Sequence, residues 1–89
     1  MNAMNRRNRM GIQYHITEMP TGGIAIRTQD KQIIVKYPFE KINQAWYDWV
    51  MLGHMVQEAF KFMTPDEREF IMTGITADEW VELFKGREE

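Results

Sequence analysis

FEKINQAWYDWVMLGHMVQEAFKFM, residues 39–63, is the stretch on which the fold turns. Ile42, Trp46, Trp49, Gly53, Val56, Phe60 and Met63 recur at alternating spacings of four and three, and Ala45, Leu52 and Ala59 widen the same stripe. Asn43, His54, Gln57, Glu58 and Lys61 fall on the other side. This period predicts one continuous amphipathic helix of about six turns over residues 39–63. Gly53 inside the stripe costs about 1 kcal/mol of helix propensity relative to Ala, a cost that close approach of the helix to a sheet would offset. The stripe also has the spacing of a coiled-coil seam. Trp at two seam positions and Gly at a third make poor knobs, which favours packing on the domain's own sheet.

That sheet is expected upstream, where the apolar period becomes two. Ile12, Tyr14 and Ile16 alternate with polar residues; "MPTGG" turns the chain; Ile24 and Ile26 follow. "TQDK" turns it again, and Ile33, Val35 and Tyr37 alternate until Pro38 stops the run. Short connections of this kind join antiparallel neighbours, so residues 12–38 predict a three-stranded meander. A small sheet alone is marginal in water, and the long helix is its natural cover. Residues 1–11, "MNAMNRRNRMG", have neither period and predict a flexible basic arm.

Downstream, "TPDEREFIMTG" (64–74) and "TADEWVELFKG" (76–86) share a frame. Thr64 and Thr76 stand as helix N-caps, Glu67 and Glu79 three residues later complete capping boxes, and Pro65 suits a first helical position. Asp66 and Asp78 place negative charge where the helix dipole favours it. Gly74 and Gly86 mark the stops, and Ile75 between them can pack on Phe70 and Trp80. Residues 64–86 therefore predict a pair of short capped helices. The whole is an α+β domain of residues 12–89 in the order β-β-β-α-α-α: a three-stranded antiparallel meander, one long helix, two short C-terminal helices.

Composition excludes more functions than it names. Of 89 residues, 44% are hydrophobic and three are Trp, enough for one core and too many for a disordered chain. There is no Cys, which removes disulfides, thiolate metal sites and cysteine nucleophiles. The Asp-Glu pairs lack the spacing of a calcium loop, and neither His15 nor His54 has ligand partners at zinc spacing. No phosphate loop or nucleophile elbow is present. The reading is not an enzyme, with no cofactor and no metal. No apolar run approaches the roughly 20 residues of a membrane span, and no apolar stretch follows the N-terminal arginines. A cytoplasmic protein without membrane contact is expected.

Two features remain for function. Met51, Met55 and Phe62 project together on the predicted helix, opposite its main stripe, with Tyr47 at their border; Met- and aromatic-rich patches serve as adaptable interfaces. Charge is also uneven. Arg6, Arg7 and Arg9 give the first eleven residues +3, residues 12–63 are neutral, and residues 64–89 carry −5, for a net −2. Helices joined at "TGIT" suggest a helix-turn-helix, but Asp78, Glu79 and Glu82 would face phosphates with the wrong sign. A nucleic-acid reading therefore falls on Arg6, Arg7 and Arg9, with Arg27, Lys36 and Tyr37 on the sheet's open face.

"FMTPDEREFIMTGITADEWVELF", residues 62–84, resembles the C-terminal segment of small uncharacterised bacteriophage proteins, particularly those of small single-stranded DNA phages related to microviruses. Those carry a similar acidic helix, a "TGIT" linker, and an acidic helix with Trp and a terminal Phe. The resemblance implies a phage accessory protein in the host cytoplasm that engages a host or virion component, and it implies no residue role. The function expected is a non-enzymatic protein-binding module that binds or inhibits a host protein or self-associates as a homo-oligomer, with Tyr47, Met51, Met55 and Phe62 as its surface. The alternative is a nucleic-acid binder using the arm; the third is a structural or scaffolding virion protein.

Overall fold

The computed structural model describes residues 2–87, the side chains of residues 83–87 excepted. Four strands form one antiparallel meander in the order β1 (Ala3–Arg7), β2 (Gln13–Glu18), β3 (Ile24–Thr28) and β4 (Lys31–Val35). The meander thus has four strands where three were expected. Residues 3–7 are a sheet edge, which corrects the flexible arm. Local chemistry explains the strand. Asn8 N–H donates to Ile12 O at 3.0 Å and Gly11 N–H to Asn8 O at 3.1 Å, with Gly11 at φ +85°. This is a type I turn followed by a left-handed residue, a standard three-residue hairpin loop that wants Asn first and Gly last. Met19–Gly23 repeats the geometry, with Met19 N–H on Gly23 O (2.8 Å) and Gly22 N–H on Met19 O (3.0 Å). The third hairpin turns tightly between Thr28 and Lys31, which pair across it, and holds Gln29 at φ +56°.

Alternation sorts the sheet into two faces. Met4, Ile16, Ile26 and Ile33 lie in register across all four strands, beside Tyr14, Ile24 and Val35, and this face carries the core. The other presents Asn5, His15, Arg27 and Gln32 in register and is solvated. Helix α1 (Phe39–Val50) covers the apolar face with Ile42, Ala45, Trp46 and Trp49 buried. Trp46 is its anchor. The indole packs edge-on against Tyr14, Trp49 and Phe60 at centroid distances of 5.3, 5.7 and 5.8 Å, and its Nε1–H donates to Arg7 O at 3.0 Å. Burying an aromatic of 150–250 Å² is worth roughly 4–6 kcal/mol, so this cluster outweighs any polar tie in the molecule.

The continuous helix over 39–63 is corrected as well. Helix α1 ends at Val50, residues 51–55 form a loop, and α2 (Val56–Ala59) is one short turn. The cause is Gly53 at φ +80°, a conformation that stops a helix and that only glycine adopts cheaply. Arg9 fixes the break from outside: Nε and Nη2 donate to Trp49 O at 3.0 and 2.7 Å, and Nη2 reaches His54 O at 3.0 Å. A cation on the last carbonyls also suits the helix dipole. Phe60 and Met63 are nevertheless buried, so the apolar stripe persists in the core while the helix carrying it does not. Leu52, expected to widen that stripe, is 55% exposed.

Helices α3 (Pro65–Thr73) and α4 (Ala77–Arg87) complete an α+β fold of four strands and four short helices. Both capping boxes form. Thr64 N–H donates to Glu67 Oε1 (2.9 Å) and Glu67 N–H to Thr64 Oγ1 (3.2 Å); Thr76 and Glu79 repeat the exchange at 2.9 and 3.3 Å. Helix α3 stops at the left-handed Gly74, whose N–H donates to Phe70 O at 2.8 Å. The Ile75 amide turns instead to Thr73 Oγ1 at 3.2 Å. Helix α4 runs through Gly86 to Arg87, so Gly86 is not the stop that its position suggested. Side-chain ties bind this half to the sheet and its exit, among them Lys31 Nζ to Glu79 Oε2 at 2.9 Å and Tyr37 OH to Glu67 Oε1 at 2.7 Å.

Candidate functional site

Strand β1 is one edge of the sheet, and α1 runs beside it. Between them lies an open groove of about 640 Å³. Asn5, Arg6 and Arg7 form one wall; Asn43, Gln44, Tyr47, Val50 and Met51 form the other, with Trp46 at its floor. The phase of the β1–β2 ladder follows from its ends. Glu18 N–H donates to Asn2 O at 2.8 Å and Asn8 N–H to Ile12 O at 3.0 Å, so the even-numbered residues of β1 exchange bonds with β2. Ala3, Asn5 and Arg7 then direct their N–H and C=O groups away from the sheet, toward the groove side. Two side chains already use those outward carbonyls: Trp46 Nε1–H on Arg7 O, and Arg6 Nη1–H, weakly, on Asn5 O at 3.4 Å. The outward amides of Ala3, Asn5 and Arg7 and the carbonyl of Ala3 form a row of unspent backbone groups.

The groove is cationic. Arg6 donates through Nη2 to Asn43 Oδ1 at 2.7 Å, and Arg7 through Nε to Gln13 Oε1 at 3.4 Å, both neutral acceptors. Among the described residues, no carboxylate lines this groove. The three expected arm arginines are thereby separated. Arg6 enters the groove, Arg7 leans to the solvated sheet face, and Arg9 is committed to the carbonyls that end α1. Arg27 lies exposed on the solvated face, across from His15, and Lys36 is exposed beyond β4. Tyr37 is corrected: it packs edge-on against Phe62 at 5.0 Å and bonds Glu67, away from the open face. The bond to Glu67, then burial, raise its pKa.

The four expected partner-binding residues are likewise divided. Tyr47, Met51 and Met55 are 50%, 68% and 57% exposed, joined by Leu52, and they cluster at the C-terminal end of α1 and the loop after it. Phe62 is packed instead: against Tyr37, against Phe60 at 6.1 Å, and beneath Lys41 Nζ at 4.8 Å from its ring. The helix break at Gly53 removes the common face that would have aligned it with Met51. A residue missed by sequence reasoning holds the region together. Asn8, 4% exposed, donates to Ile71 O and Met72 O (3.0 and 2.9 Å) and accepts from Met10 and Ile12 N–H (both 2.9 Å). Its signal was the Asn-x-x-Gly spacing of the first turn. Nearby, Tyr14 OH donates to Phe70 O at 2.6 Å, and burial pushes its pKa up to about 12.

Among the described residues, no group of three or more His, Asp or Glu is placed to hold a metal, and no helix is long and apolar enough to cross a membrane. No family model matches the chain, and no curated protein or solved structure matches it with significance.

Proposed function

We propose that this chain is a non-enzymatic protein-binding module whose contact surface is the β1–α1 groove and the apolar rim at the end of α1. One observation carries the reading: Tyr47, Met51, Leu52 and Met55, four large apolar side chains within nine residues, are all at least half exposed, and Tyr47 and Met51 line that groove. Scattered exposed apolar residues are ordinary; four within nine residues, two of them lining a concave surface, support an interaction site. Methionine adds adaptability, since its unbranched chain repacks against different partner shapes. Phe62 leaves the surface and Leu52 joins it. The nucleic-acid alternative uses the arm and the open sheet face; residues 3–7 are paired into the sheet and Arg9 is bound to α1, while Arg6, Arg7, Arg27 and Lys36 stay exposed, and the apolar group at the end of α1 favours the protein-binding reading over it.

The test exploits the exposure of these residues. Met51→Lys with Met55→Lys should leave the melting temperature nearly unchanged, because surface substitutions away from packing features stay within about 0.5 kcal/mol. A displayed peptide library is selected against the parent chain, and enriched peptides are titrated against both proteins. The reading requires peptides that bind the parent and lose affinity for the double variant. Enrichment of peptides indifferent to it, or no enrichment, refutes the surface.

A further inference from the structure

We propose that β1 receives an extended, acidic–apolar segment of a partner protein as an added strand of the sheet; this rests on the protein-binding reading above and specifies its mode. Three observations converge. First, the outward amides of Ala3, Asn5 and Arg7 and the carbonyl of Ala3 offer one complete antiparallel pair and two further donors, and the Asn5 carbonyl, held by Arg6 Nη1 at 3.4 Å, completes a second pair when that long contact is released. Arg7 O is withheld by the Trp46 indole, which sets where the added strand must end. Second, the groove runs along this edge with an α1 wall of Tyr47, Val50 and Met51, the arrangement in which backbone pairing gives affinity and side pockets read alternate residues. A strand paired along five residues of β1 spans roughly 17 Å.

Third, charge selects the occupant. Side chains alternate on the added strand, so those opposite Met4 and Arg6 face α1, while those opposite Asn5 and Arg7 face the solvated side. Each face therefore meets one arginine whose acceptors among the described residues are neutral, Asn43 and the Asn5 carbonyl for Arg6 and Gln13 for Arg7. Acidic residues opposite the two arginines, with apolar residues toward Tyr47 and Met51, complete the surface. A basic segment would set like charges side by side, which destabilises a cross-strand pair. The opposite edge has no such vacancy of charge, for Lys31 of β4 is already paired to Glu79 at 2.9 Å.

The probe is a short peptide with two adjacent glutamates, to lie opposite Arg6 and Arg7, and valine at the next position that faces α1, with lysine in place of both glutamates as control, and the readout is amide hydrogen exchange of the intact chain. The expected result is binding of the glutamate peptide alone, with new protection at Ala3, Asn5 and Arg7 and little change at Met4 and Arg6, whose amides already face β2. Asn5→Pro removes an outward donor where an edge strand tolerates proline, and should weaken binding about tenfold; Asn5→Ala keeps the N–H and should bind more tightly than Asn5→Pro does. Arg6→Glu with Arg7→Glu should cost about tenfold or more. Methylating the peptide's β1-facing amides should abolish binding, whereas methylating the opposite amides should not. Protection of the odd-numbered amides that grows with protein concentration in the absence of peptide would assign the edge to a second copy and overturn the proposal. Peptide binding that moves only Tyr47, Met51 and Met55 would overturn strand addition yet leave the protein-binding reading standing. Binding lost to neither Met51→Lys nor Asn5→Pro would overturn both.

Discussion

Gly53→Ala is the substitution whose sign decides between the two readings of residues 39–63. In one continuous helix, alanine would stabilise that position by about 1 kcal/mol, because glycine is a poor interior helix residue. In the observed loop the residue sits at φ +80°, and an L-side chain in the left-handed region costs about 1–2 kcal/mol. Sterics do not confuse the comparison: a Cβ at Gly53 would meet only Arg9 Nη2, at an ordinary 3.8 Å. The penalty is therefore backbone strain alone, and the readings differ by about 2–3 kcal/mol with opposite signs. For a domain of this size, 1 kcal/mol moves the melting temperature by about 4–8 °C, well within reach of a thermal melt or a urea titration. A loss of roughly that size is expected, with no gain in helical circular dichroism. D-alanine at the same position, introduced by chemical synthesis, favours positive φ and should instead stabilise. A Gly53→Ala chain that melts higher and gains helix signal would refute the break and restore the single long helix.

Three further outcomes follow from particular contacts. Asn8→Ala strands two amides at the first turn and two carbonyls of α3 and should cost about 2–4 kcal/mol in urea unfolding; Asn8→Asp should be no milder, because a carboxylate cannot donate to Ile71 O and Met72 O. Tyr14, with its pKa raised from 10 to about 12, makes the fold sensitive to alkali. Because the folded value lies above the unfolded one, its contribution is complete below pH 10 and is lost as pH rises toward 12. The full effect is about 2–3 kcal/mol, and Tyr14→Phe should flatten most of that decline. Gln29→Gly at φ +56° relieves strain of about 1–2 kcal/mol against glycine's extra entropy cost of about 0.5–1, for a net gain near 0.5–1 kcal/mol and a melting point a few degrees higher.

The sequence was legible where a signal is local and periodic. Tyr14, Ile16, Ile24, Ile26 and Val35 alternate cleanly and are all buried on one face. Thr64, Glu67, Thr76 and Glu79 carry their capping chemistry within four residues, and the bonds form as spaced. Strand β1 was not legible by period, since Met4 is the only large apolar residue in "AMNRR" and an edge strand is held by its neighbour's ladder, not by its own pattern. The turn that creates it was written in Asn8 and Gly11. The helix break escaped notice for a different reason. The spacing 42-46-49 and 56-60-63 is in phase across Gly53, and hydrophobic period does not report φ. The groove needed both missed features at once, so Arg6 and Arg7 read as a tail and Met51 as a neighbour of Phe62.

Arginines on an edge strand have two possible duties, and the two edges of this sheet separate them. Charge on an edge can simply block pairing with another chain, and for that purpose it should project into solvent and need no pocket. Lys31 on β4 is engaged elsewhere, in its bridge to Glu79. Arg6 does neither. Its guanidinium is anchored in the groove by Asn43 at 2.7 Å and touches the edge through a long Nη1 contact to Asn5 O at 3.4 Å, so it does not project freely into solvent. A cation held beside its edge by neutral acceptors and lining a concave surface has the placement of a recognition group. The two duties also predict opposite failures: neutralising Arg6 and Arg7 to Gln should promote aggregation if they guard the edge, and should weaken acidic-peptide binding without changing solubility if they read a ligand. Light scattering and peptide titration on the same variant give the answer together.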